Sequence, residues 1–152
     1  MKKTIALAAL TGAVAFPFAG NALASNGQHD GRILVFQVVS DQTVPLDVNA
    51  SGGAGDQVVF SENLYKNGQL VGSDSGVCTQ TPDPDNSHYI CNVTFDITSR
   101  GQITTDGIVN FAEARPVIAV VGGTGEFRGA TGEFDFTTQS ATTFTDTFWL
   151  SN

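Results

Sequence analysis

The chain has 152 residues and a mass of 15.9 kDa, the size of one domain rather than two. Seven Lys and Arg stand against fifteen Asp and Glu, giving a formal charge of −8 and a pI near 4.3. Phosphate binding needs clustered cations, so nucleic acid is excluded as an expected partner. A hydrophobic content of 41% and a mean hydropathy of +0.02 exclude an intrinsically disordered chain.

The first segment reads as an address. Lys2 and Lys3 form a positive start, Thr4 to Gly20 is apolar apart from Pro17, and Ala22-Leu23-Ala24 places small residues where a signal peptidase reads. Residues 1–24 are therefore expected to be a signal peptide cleaved after Ala24, with residues 25–152 forming the domain. A secreted or periplasmic location follows, with no stable membrane insertion after cleavage. Removal takes two lysines and no acid, so the remaining chain is more acidic still.

From there the pattern is alternation, with no helical stripe. Strands are predicted at Ile33–Ser40, Asp56–Tyr65, Leu70–Thr79, His88–Ile97, Gln102–Phe111, Pro116–Val121, Thr131–Gln139 and Thr143–Leu150. Abundant Gly, Phe, Thr and Val suit this reading, because β-branched and aromatic side chains fit pleated surfaces. Asn67-Gly68 between two apolar runs is a strong hairpin signal, since both residues tolerate positive φ. Eight short strands with short turns predict an all-β fold, an eight-stranded antiparallel barrel, with a sandwich as the structural alternative. A period of two puts Ile33, Val35, Gln37 and Val39 on one face of the first strand, opposite Leu34, Phe36 and Val38. On the second it groups Val58, Phe60, Glu62 and Leu64. A barrel of this size is either filled by side chains or holds one small ligand. Surplus apolar surface outside it would serve oligomer contacts.

Two cysteines, Cys78 and Cys91, flank a run of turn formers, Thr81-Pro82-Asp83-Pro84-Asp85-Asn86. In an exported chain they are expected to form a disulfide across a hairpin, the alternative being a free reactive Cys78. No metal and no cofactor is expected: His29 and His88 are the only imidazoles, and neither lies at ligand spacing from another His, Cys or carboxylate. Asp83-Pro84-Asp85-Asn86 lacks the later ligands of a calcium loop. Gly123-Thr124-Gly125-Glu126-Phe127-Arg128 has Arg where a dinucleotide fingerprint needs its third Gly, and it opens no helix. Gly72-Ser73-Asp74-Ser75-Gly76 looks like a nucleophile elbow with Asp in the place of Ser. Asn49-Ala50-Ser51 and Asn92-Val93-Thr94 are formal glycosylation sequons. An outer-membrane barrel would need aromatic girdles, for which two Tyr and one Trp are too few.

One longer pattern runs through the second half. Val120-Val121-Gly122-Gly123-Thr124-Gly125-Glu126-Phe127-Arg128-Gly129-Ala130-Thr131-Gly132 resembles the glycine-rich signature of the allene oxide cyclase and dirigent superfamily. Gly55-Asp56 with Phe60 and Leu64-Tyr65, Gly72 with Gly76-Val77-Cys78, and Gly101-Gln102-Ile103-Thr104 with Gly107 agree in order and spacing. The aromatic close, Phe144 to Leu150, is similar to that family's last strand. The resemblance implies a calycin-like barrel, assembly as a homo-oligomer (dimer or trimer) through the outer wall, and cyclase or isomerase chemistry without a cofactor. It places the plant cyclases' strand-one Glu at Gln37 and their strand-two Asn at Glu62, and matches their Pro to Pro45 only after a one-residue gap. The plant reaction's own catalytic set is thus incomplete here.

On this reading Glu62 and Gln37 are the candidate catalytic residues, with Val35, Pro45 and Phe60 contacting the ligand. Glu62 beside Phe60 in an apolar lumen would have its pKa raised by desolvation, as suits a general acid or base. The expected function is binding of a small hydrophobic molecule in the lumen, with cyclase or isomerase activity as an extension. The alternative is a structural or interaction protein with a side-chain-filled barrel.

Overall fold

The computed structural model describes residues 31–48 and 53–151. The expected signal segment 1–24 with its cleavage after Ala24, His29 and the sequon at Asn49 lie outside the described residues. Eight strands follow one another: β1 (Arg32–Leu46), β2 (Gln57–Lys66), β3 (Gln69–Gln80), β4 (His88–Ile97), β5 (Gly101–Asn110), β6 (Val117–Gly123), β7 (Thr131–Ser140) and β8 (Thr143–Ser151). Each pairs antiparallel with its sequence neighbour, and β8 returns to β1, closing the barrel. Closure gives every strand a neighbour on both sides, although β6 pairs with β5 and with β7 over only four residues each.

Local chemistry sets the corners. Asn67 and Gly68 carry φ of 53° and 75° in the two-residue turn between β2 and β3, the handedness that matches strand twist. Gly132, at φ 138°, brings β7 so close to β8 that a side chain there would overlap the Trp149 carbonyl. The turn from β6 to β7 contains a single 3₁₀ turn, Gly125–Phe127. It drives the Phe127 ring into one end of the barrel, where Phe127 is buried. Arg32 and Arg100 lie over that ring at 4.8 and 5.2 Å, and Glu126 bridges them at 3.6 and 3.0 Å. The glycine-rich signature therefore shapes a plug rather than a catalytic loop.

Inward positions alternate as the period of two requires, and they fill the plugged half. Leu34, Phe36, Val38, Leu64, Ile97, Ile103, Phe148 and Leu150 are buried there. Phe95, Phe134 and Phe148 meet edge-on or tilted at centroid distances of 4.8 to 5.0 Å, forming an aromatic floor. Cys78 and Cys91 are register partners on β3 and β4 and are bonded, with Cα atoms 4.1 Å apart.

Two register shifts decide what faces inward beyond that floor. Between Ser40 and Gln42 the β1 ladder skips Asp41, so the inward set changes from even to odd numbers and Thr43 pairs with Phe60. A second shift, at Leu64 and Tyr65, sets Glu62 opposite Asp74.

Candidate functional site

Above the aromatic floor the barrel is open. A cavity of about 700 Å³ runs from the floor to the end formed by the β3–β4 and β5–β6 loops and the β7–β8 turn. Its wall is apolar and mostly aromatic, with Phe60, Phe95, Phe134, Phe136, Phe144 and Tyr89 joined by Val58, Val93, Val109 and Ile118. The Cys78–Cys91 bridge is part of this wall. Asn86 and Ser87 of the β3–β4 loop lie at the mouth.

Three carboxyl groups, from Glu62, Asp74 and Asp146, face this lumen. Register explains the grouping. Glu62 pairs with Ser40 on one side and Asp74 on the other, while Asp146 follows two positions before Phe148 on the same face of β8. Among the described residues, no Lys, Arg or His lines the cavity. Asp74 is 2% exposed, and neither of its carboxyl oxygens has a hydrogen-bond partner. Burial pushes its pKa up to about 8, with the Glu62 charge adding to the effect. Asp146, 4% exposed, is raised well above the ordinary carboxylate range, by burial first and then by the charges of Asp74, Glu62 and Asp135. Glu62 is half-buried and also raised by desolvation, while a hydrogen bond from the Ser40 side chain pulls it back toward the ionised form. The arrangement supplies neutral acids and a more readily ionised one in a single apolar chamber, the requirement for proton donation and removal at neutral pH.

The residues singled out from sequence divide sharply. Glu62 and Phe60 line the cavity, as do both cysteines. Gln37 and Val35 do not: both are exposed on the outer wall, where Gln37 Nε2 donates to Thr145 Oγ1 at 3.3 Å. The physical reason is that Leu34, Phe36 and Val38 take the inward face of β1. Pro45 pairs with Val58 beyond the β1 bulge and is exposed at the rim without lining the lumen. Asp74 and Asp146 were not among the candidates. Asp74 was visible only as the Asp in a failed nucleophile elbow, and its inward direction depends on the β2–β3 register shift.

At the mouth, Asp83 organises the β3–β4 loop. Its carboxylate accepts the backbone N–H groups of Ser87 and His88 at 3.1 and 3.3 Å and the Thr81 hydroxyl at 3.1 Å, and lies 3.0 Å from His88 Nδ1. These contacts, the His88 side chain first, hold its pKa well below the usual carboxylate range. Ser87 Oγ approaches the same His88 nitrogen at 3.3 Å, so the trio shares one ring atom and is a loop brace rather than a relay. On the outer face, Asp135 is buried and paired with Arg115, whose guanidinium stacks 4.8 Å over Trp149. Among the described residues, no three of His, Cys, Asp and Glu are grouped so as to hold a metal ion.

The fold has solved counterparts. A pyocyanin demethylase superposes with a TM-score of 0.73 at 28% identity, over 79% of this chain and 100% of that one. A pterocarpan synthase dirigent protein gives 0.64 at 18% identity, over 78% and 82% of the two chains. AbnU, an exo-specific intermolecular Diels–Alderase, gives 0.60 at 15% identity, over 76% and 94%. The last two likenesses carry the fold alone. Among curated proteins none matches the sequence significantly. The sequence itself matches the family described as the allene oxide cyclase barrel like domain over residues 34–148, nearly the whole barrel, and the chain belongs to that family.

Proposed function

We propose that the barrel binds one small, largely apolar molecule in its lumen and acts on it by proton transfer, as a cyclase or isomerase. The observation that carries this reading is the open chamber of about 700 Å³ with three carboxyl groups as its only ionisable lining, besides Tyr89, among the described residues. A side-chain-filled interaction barrel would have no such volume. Isomerisation or ring closure needs no co-reactant: one protonated carboxyl gives a proton to the substrate, and an ionised one removes another from it. The dry wall adds conformational constraint on the bound molecule.

Asp146 is the donor in this scheme, and Glu62, with Ser40 favouring its ionised form, is the base. The pyocyanin demethylase at 28% identity makes pyocyanin and related phenazines the first compounds to assay. The chain acts outside the cytoplasm in this proposal, after loss of residues 1–24, and as a homo-oligomer.

Native mass spectrometry of the protein purified gently from its own host tests the binding step. A reproducible small-molecule adduct is expected, and a clean apo mass together with failure of every assayed compound to bind would overturn it. Glu62→Gln is expected to lower turnover of the retained molecule by at least about 100-fold with the fold intact. Unchanged turnover would remove Glu62 from the chemistry.

A further inference from the structure

We infer that the lumen selects an organic cation, a flat aromatic molecule carrying a positively charged nitrogen that sits against Asp74, and that its binding expels a proton from the floor carboxyls. This rests on reading the lumen as a ligand site and names the class of molecule that fits it.

The charge pattern leads there first. Among the described residues, the formally charged side chains that line the cavity are acids: Glu62 from β2, Asp74 from β3 and Asp146 from β8. Strands β1, β4, β5, β6 and β7 contribute no acid or base to the lumen beyond the Tyr89 phenol near the mouth. Asp135, which also acts on Asp146, faces outward and is already paired with Arg115. An anionic ligand would meet three like charges or potential charges. A hydrocarbon would leave both Asp74 oxygens as they are, enclosed and without a partner, a state that costs free energy.

The wall supplies the second half of the recognition. The rings of Phe60, Phe95, Phe134, Phe136 and Phe144 present π-faces and edges around the same space. A delocalised cation gains from ring faces and from the apolar lining together, which a small hydrated ion does not. The grouping does not suit a metal ion, as no three potential ligands converge among the described residues. The protein's net charge of −8 draws cations toward the mouth from solution.

Proton release follows from the same geometry. Burial keeps Asp74 protonated up to about pH 8, whereas a bound cation favours its ionised form. Below that value each binding event therefore displaces up to one proton, and affinity rises with pH by up to about tenfold per unit.

The test uses a matched pair, N-methylacridinium and its uncharged isostere methylanthracene, titrated into the full protein between about pH 6 and about pH 9. Calorimetry in buffers of different ionisation enthalpy reads the released proton. The cation is expected to bind at least about tenfold tighter than the isostere at the upper pH and to lose that margin as pH falls. Asp74→Asn is expected to flatten the pH dependence and leave methylanthracene binding unchanged. Glu62→Gln, which keeps Asp74, should retain the preference for the cation. Equal affinity for the two probes, or cation binding with no proton release, would overturn the inference while leaving the lumen as a binding site. Tighter binding of uncharged acridone that weakens as pH rises would also overturn it, by making Asp74 a hydrogen-bond donor to a carbonyl. Failure of all three probes to bind at any pH would overturn the inference and the lumen reading together.

Discussion

Asp74 shows how a single side chain can set the pH response of the whole fold. In the unfolded chain it loses its proton near the ordinary value of 3.8, while in the barrel it keeps it to about 8. Between those values the folded state holds a proton that the unfolded state has released, so stability falls as pH rises, by about 1 kcal/mol per unit for one such group. Asp146 acts in the same direction. The ligand-free protein is therefore expected to be more stable near pH 5 than near pH 8, read as the denaturation midpoint in urea. Asp74→Asn should reduce that slope and stabilise the protein at pH 8. A midpoint that rises across the interval would contradict the burial argument.

At the scale of elements, the β3–β4 hairpin joins a wall to a mouth. The Cys78–Cys91 bridge ties the two strands inside the cavity wall, and Asp83 braces the loop beyond them. Replacing both cysteines by Ala is expected to cost about 3 kcal/mol on the loop-entropy account. Chemical denaturation of the double variant, compared with the oxidised wild type, measures it. Asp83→Ala removes four contacts that hold the loop without touching the barrel ladder, so proteolysis there should accelerate while far-UV circular dichroism stays the same. The β7–β8 contact is stricter. Gly132→Ala combines an unfavourable φ with a clash against the Trp149 backbone, and about 3 kcal/mol of destabilisation is expected from thermal unfolding.

The whole molecule presents more apolar surface than its own core can absorb. Ile33, Val35 and Val39 of β1, Ile90 and Ile108 of β4 and β5, and Val117 and Val121 of β6 are exposed on the outer wall. Isolated apolar residues on a surface are ordinary, but rows along the strands of a closed barrel are the substrate for packing barrel on barrel. On the proposed homo-oligomer, Ile108→Lys should shift the mass seen by size exclusion toward the single chain without altering ligand uptake. N-terminal sequencing of exported material should begin at Ser25 if the proposed cleavage site is right.

Much of this was legible before any coordinates. Hydrophobic alternation fixed eight strands in their places, because a period of two records burial on one face and needs no tertiary information. His88–Ile97 has the same bounds in both readings, and Asn67-Gly68 marked its hairpin through local φ preference alone. The cysteine pair was legible as well, since a turn-rich run between two strands puts its flanking residues opposite each other.

Which face turned inward was another matter. On β1 both faces are apolar, so composition could not choose between Val35 with Gln37 and Leu34 with Phe36. Closure of the barrel chose the latter. Without the shift at Leu64 and Tyr65, the two-residue turn would set Glu62 opposite Ser73 and send Asp74 to the other face. One irregular residue thus decides that two carboxyls share a chamber. Asp146 joins them only because β8 closes on β1, more than 100 positions away along the chain (Phe36 is its register partner). The sequence by itself determined the strands and their order, which depend on local preference and periodicity. The acidic chamber was decided by register and closure, because a side chain's surroundings inside a barrel are set by strands that are distant in sequence.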